Sequence, residues 1–177
     1  MTKREKPSPV LAPAWSFPVV VADIPDEGAH FEISADDAER AGVAKLAGVR
    51  SVQRLAAVFD VSRRGAGVHI AGTVKARVEQ TCVITLDPVK ADVEEAVDLE
   101  YASAPGGAQS GRRKRKDTDP PETLENGIAD LGAVATEFLI LGLDPYPRAP
   151  GAEFSQPKTA DNGAKPFAAL EALKKRS

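Results

Sequence analysis

Between Ser51 and Tyr101 the chain alternates apolar and polar residues with a period of two, the pattern of strands with one buried and one wet face. Leu55, Ala57, Phe59 and Val61 share one parity, opposite Arg54, Asp60 and Ser62. Next, Val68, Ile70, Val74, Ala76, Val78, Cys82, Ile84 and Leu86 stand against His69, Thr73, Lys75, Arg77, Glu79 and Thr81. This run predicts one long half-buried strand, straight or bent near Gly72, where a missing side chain tolerates a bulge. Asp87-Pro88 then turns the chain, and Val89, Ala91, Val93, Val97, Leu99 and Tyr101 resume the alternation opposite Asp92, Glu94, Asp98 and Glu100. With Arg64-Gly-Ala-Gly67 as the other turn, these runs predict an antiparallel meander.

Upstream, Ser16-Phe-Pro-Val-Val-Val21 predicts a short strand ended by Asp23 to Gly28, and His30-Phe-Glu-Ile33 a second one. The second leads into a helix, because Ser34-Ala-Asp-Asp37 has the form of a capping box with acids that suit the helix dipole. Val43, Leu46 and Ala47 fall on one face of that helix, and Gly48 stops it. Downstream, residues 102–127 lose all periodicity and read as a disordered insertion. Asp130 is an N-cap for a helix from Leu131 to Leu143, which is apolar on nearly every side except at Thr136 and Glu137 and is therefore expected against the sheet. Asp144-Pro-Tyr-Pro-Arg-Ala-Pro-Gly151 ends it. Residues 155–165 read as a linker, and Pro166 to Arg176 as a short amphipathic helix that orders only if something receives Phe167, Leu170 and Leu173.

The expected architecture is α+β: an antiparallel meander packed with two or three helices, a long disordered loop and flexible termini. Residues 1–15 form the flexible start, 16–154 a single domain, and 155–177 the linker and terminal helix. At 177 residues with 42% hydrophobic content the chain has enough material for one core. Its most apolar run, around Phe138 to Leu143, is too short to span a bilayer, and no signal peptide is evident, so no membrane association is expected. One cysteine excludes an internal disulfide and fits a reducing cytoplasm; with two histidines it also makes a zinc site improbable. The net charge of −3 excludes a generally basic nucleic-acid coat. Aromatics at 5% leave little for base stacking.

Charge is segregated rather than absent. Arg112, Arg113, Lys114, Arg115 and Lys116 form the one concentrated cationic run, and without them the rest of the chain carries about −8. That run suits phosphate contact, or serves only to keep a solvated loop extended. Asp92, Glu94, Asp98 and Glu100 share a strand face that either receives a basic partner or is simply wet. Cys82 lies on the apolar parity, away from His69, and reads as a small buried hydrophobe rather than a nucleophile. Asp144, Pro145, Tyr146, Pro147 and Arg148 form a preset turn in which Tyr146 and Arg148 either anchor an interface or pack back on the helix. No catalytic constellation, phosphate-binding glycine loop, metal site, cofactor site or small-molecule substrate site is evident.

Cys82-Val-Ile-Thr85-Leu86-Asp87-Pro88-Val89 resembles the Cys-x-x-Cys-Leu-Glu-Pro-Val signature of the YceD family, the large ribosomal RNA subunit accumulation proteins. Gly72 to Glu79 precede it in the expected order. An acidic alternating strand, a variable charged loop, Ile128-Ala-Asp-Leu-Gly132 and Glu137 to Pro147 follow. The likeness covers about residues 16 to 154 and looks most like the alphaproteobacterial branch. The family's second cysteine is Thr85 here, so no metal or disulfide role for that pair carries over. On a regular strand, moreover, residues three apart point to opposite faces.

The resemblance implies a bacterial, cytoplasmic, non-enzymatic factor in large ribosomal subunit biogenesis. It would support ribosomal RNA accumulation or processing by binding rRNA or a basic ribosomal protein. Under RNA binding, Arg112 to Lys116, Lys75, Arg77 and Arg148 would contact phosphates. Under protein binding, the acidic 92–100 face and the Tyr146 turn would receive the partner. The alternatives are a general protein-interaction adaptor working through the terminal helix, or a metal or redox module, which a lone cysteine disfavours.

Overall fold

The computed structural model describes residues 13–65, 67–103, 122–124 and 127–154. Its centre is a five-stranded sheet in the order β2-β3-β4-β5-β6. Strands β3 (Ser51–Arg64), β4 (Gly67–Thr81) and β5 (Pro88–Ser103) form the expected antiparallel meander, and β2 (Ala29–Ser34) adds to it by pairing antiparallel with β3. Strand β6 (Glu122–Leu124) lies within the stretch read as an insertion and pairs with β5 in parallel, Tyr101 opposite Glu122. A separate two-stranded ladder joins β1 (Pro18–Val20) to β7 (Ile128–Asp130). Helices α1 (Asp37–Ala47) and α2 (Leu131–Leu141) complete an α+β fold. The helix expected over 166–176 and the cationic run at 112–116 lie outside the described residues.

The parity rule places the core. Leu55, Phe59, Ile70, Val74, Val78, Val93 and Val97 are buried on one sheet face together with Leu131, Val134, Ala135 and Leu139 of α2 and Val43 of α1. A register shift between Val52 and Arg54 rephases β3, so Val52 and Leu55 are both buried although three residues apart. Gly72 does not break β4; the strand runs straight through it. A Cβ there would stand 2.0 Å from Val58 O and 2.9 Å from the Phe59 ring, so the Val58 carbonyl first and the ring second occupy the space that glycine leaves.

Helix α1 begins later than the Ser34 pattern predicts. Asp36 is its N-cap: the carboxylate accepts from Glu39 N at 2.8 Å while Glu39 Oε2 accepts from Asp36 N at 2.8 Å. Ser34 is still paired in β2, opposite Ala56, which removes it from the helix start. Gly48 closes α1 in the left-handed region at φ 67. Asp130 caps α2 as expected, accepting from Ala133 N at 3.1 Å. It also receives Ser16 Oγ at 2.7 Å and Phe17 N at 2.8 Å, tying the first strand segment to the second helix.

Candidate functional site

Strand β4 ends at Thr81, short of the Leu86 that its alternation predicts, because Cys82 draws the following residues into a turn around its sulfur. Sγ accepts from Ile84 N at 3.4 Å, Thr85 N at 3.4 Å and, across the chain, Ala149 N at 3.3 Å. Cys82 N donates to Asp87 O at 2.8 Å and Leu86 N to Cys82 O at 3.0 Å, closing the loop that restarts as β5 at Pro88. Thr85 does not face away from Cys82, as a strand would require; the turn brings its hydroxyl onto the sulfur. That hydroxyl, then the Thr85 and Ala149 amides, lower the Cys82 thiol from 9.0 to about 6 against the opposing effect of burial. The side chain is nonetheless fully buried, so it presents no open nucleophile.

The second motif docks on the first. Val83 N donates to Pro147 O at 2.9 Å, and Gln80 Nε2 to Asp144 O at 2.9 Å. Asp144 Oδ1 accepts from Tyr146 N at 2.8 Å, so the carboxylate sets the turn that follows α2. Pro147 is buried in this joint, while Leu86 and Tyr146 each remain 70% exposed and Val83 47%. Of the two readings of Tyr146, packing back on the helix is the one its exposure removes. Leu86 stands at φ 64, a left-handed conformation uncommon for a branched side chain. Two segments about sixty residues apart in the chain thus form a single corner, fixed from beneath and apolar at its tip.

Beneath the corner runs a groove of about 410 Å³, bordered by the end of α1, the end of α2, Gln80, Val83 and the Asp144–Pro147 turn. Gln80 is a site residue that the alternation alone does not single out, although it sits on the apolar parity of β4 between Val78 and Cys82. A carboxamide on the core parity was the signal. It is 7% exposed, and its Oε1 has no partner among the described residues.

Three of the four acids named on the sheet face, Asp92, Glu94 and Asp98, bond side chains of β4. Lys75 Nζ lies 2.9 Å from Glu94 Oε1. Arg77 spans Asp92 with Nε to Oδ1 at 2.7 Å and Nη2 to Oδ2 at 3.0 Å, which holds the Asp92 carboxyl below its usual range. His69 Nε2 meets Asp98 Oδ1 at 2.7 Å. At the next strand, Asp60 bonds His30 Nδ1 at 2.7 Å and raises that imidazole above 6.5. Arg148 is exposed beside the corner. Among the described residues no group of three or more His, Cys, Asp or Glu side chains could hold a metal ion, and no helix is long and apolar enough to cross a membrane.

No curated protein and no solved structure matches the chain. A family model does, over residues 70–174, a span that takes in β4, the Cys82 turn, β5, α2 and the Asp144 to Pro147 turn. Since this is more than half of the chain and holds both halves of the corner, the protein belongs to the YceD family, described as large ribosomal RNA subunit accumulation protein.

Proposed function

We propose that this chain is a non-enzymatic factor of the bacterial cytoplasm in large ribosomal subunit biogenesis, acting by binding rather than by chemistry. It supports accumulation or processing of large-subunit ribosomal RNA by holding either that RNA or a basic ribosomal protein. Family membership supports the pathway. The observation that carries the binding role is the corner itself: Leu86 and Tyr146 project from a turn whose backbone is bonded at Cys82, Val83, Asp87, Pro147 and Ala149. A backbone already fixed by these bonds need not be ordered on docking, which suits the two exposed side chains to an interface anchor.

For the RNA route, Arg112 to Lys116 and Arg148 are the cations that supply phosphate contacts. Lys75 and Arg77 reach a phosphate only by giving up Glu94 and Asp92, so they are secondary to the 112–116 run and Arg148 on this route. Neutralising residues 112–116 and measuring affinity for a large-subunit rRNA transcript against salt tests this route. Loss of affinity with a log–log slope shallower by roughly 0.7–0.9 for each lost contact supports it. An unchanged affinity and slope remove that run from the interface and leave the protein partner.

A further inference from the structure

We propose that the groove beneath the corner is a socket for a basic side chain, an arginine or lysine presented by a partner polypeptide. This rests on the binding role proposed above and names the chemistry of the partner it favours. The walls come first. Val83, Ile140 and Leu143 border the groove with apolar surface suited to the aliphatic stem that arginine and lysine carry. The floor is different. Gln80 is 7% exposed, and one hydrogen of its amide nitrogen is donated to Asp144 O at 2.9 Å. Its Oε1 is left as an acceptor without a partner among the described residues. A buried acceptor in that position calls for a donor, and a charged donor gains most from it.

Two helix C-termini and one carboxylate border the groove, and Lys45 in the last turn of α1 offsets one of those ends only in part. Both helices end there: α1 at Ala47 and Gly48, α2 just before Leu143. Helix C-termini carry partial negative charge on their last carbonyls, so two such ends favour a cation between them. The Asp144 carboxylate stands on the same rim, one oxygen accepting from Tyr146 N. A guanidinium or ammonium finds the Gln80 acceptor and the Asp144 carboxylate, whereas a phosphate is repelled by that carboxylate and finds as donors only the Thr81 hydroxyl and the second Gln80 amide hydrogen. The groove therefore fits a basic protein rather than RNA. Leu86, Val83 and Tyr146 beside it are positioned to pack the partner's neighbouring residues.

A titration of the full-length ¹⁵N-labelled protein tests this with an acetylated, amidated Ala-Ala-Arg-Ala-Ala peptide and its citrulline twin, which keeps the shape and loses the charge. The expected result is saturable movement of the Gln80 side-chain amide and the Gly48 backbone amide with the arginine peptide, and roughly tenfold weaker binding with citrulline. Gln80→Met weakens the arginine peptide by a similar factor. Because that change also removes the bond to Asp144, Asp144→Asn is the second variant; it keeps an oxygen for Tyr146 N, lowers only the charge, and weakens arginine but not citrulline. Equal shifts from both peptides overturn the proposal. So does movement of these amides by a short oligoribonucleotide but not by the arginine peptide. If the titration fails while Leu86 and Tyr146 variants still lower large-subunit rRNA in cells, the socket falls and the binding role stands. If arginine binds while those variants restore rRNA fully, the socket stands and the role falls.

Discussion

Cys82 is the residue on which the corner is hung, and its ionisation gives a measurable signature. The Thr85 hydroxyl and the amides of Thr85, Ala149 and Ile84 all favour the thiolate. Between about pH 6 and pH 9 the unfolded chain binds a proton that the folded chain has released, so stability rises with pH across that window. The contribution is complete above about 9 and is lost as pH falls through about 6. Thiolate absorbance of the native protein therefore inflects near pH 6. The melting temperature of the wild type relative to Cys82→Ala should climb from pH 6 to pH 9; a native inflection above pH 8 contradicts the bonding scheme. Leu86 offers a second test at this scale. Its positive φ costs an L-residue roughly 1–2 kcal/mol, offset in part by the extra unfolded-state entropy of glycine. Leu86→Gly should therefore fold with stability within about 1 kcal/mol of wild type while losing the exposed anchor. Loss of folding would show that Leu86 is structural.

Strands β3, β4 and β5 repeat the period of the sequence because a half-buried sheet selects side chains two at a time. Helix α2 and its Asp130 cap were legible for the same local reason. The helix α1 boundary was not, because Ser34 and Asp36 offer the same chemistry and only the β2–β3 pairing decides between them. Asp36→Ala should accordingly cost about 1 kcal/mol in denaturant unfolding, and Ser34→Ala much less. The β1–β7 ladder and the parallel addition of β6 join segments far apart in the chain, which periodicity cannot see. The corner was half legible: both motifs stood out, but alternation carried Ile84 and Leu86 past the true end of β4, and the Cys82 bonds that bend it are tertiary. Gly72 marks a close approach within an unbroken register, where the alternation left a straight strand or a bend open. Gly72→Val should destabilise the β3–β4 pair by about 1–3 kcal/mol or more, since Val58 O already fills the space; an unchanged melting temperature would mean that the strands part there.

Among the described residues, cations and acids pair across the open sheet face, while the corner presents exposed apolar side chains. Lys75 with Glu94, Arg77 with Asp92 and His69 with Asp98 bridge β4 and β5 on the wet face. These exposed pairs each contribute little to stability and are weakened by salt. The face that seemed acidic in sequence is thus largely self-paired. The corner, by contrast, joins both family motifs over the groove between two helix ends. Function should follow the corner and be indifferent to the sheet face. The direct measurement is the ratio of large- to small-subunit ribosomal RNA in cells lacking the chain, complemented in parallel by Leu86→Ala/Tyr146→Ala and by Lys75→Ala/Arg77→Ala, each confirmed folded by its melting temperature. The predicted result is that the sheet-face variant restores the ratio and the corner variant leaves it low. Full restoration by the corner variant would contradict a binding role for that surface.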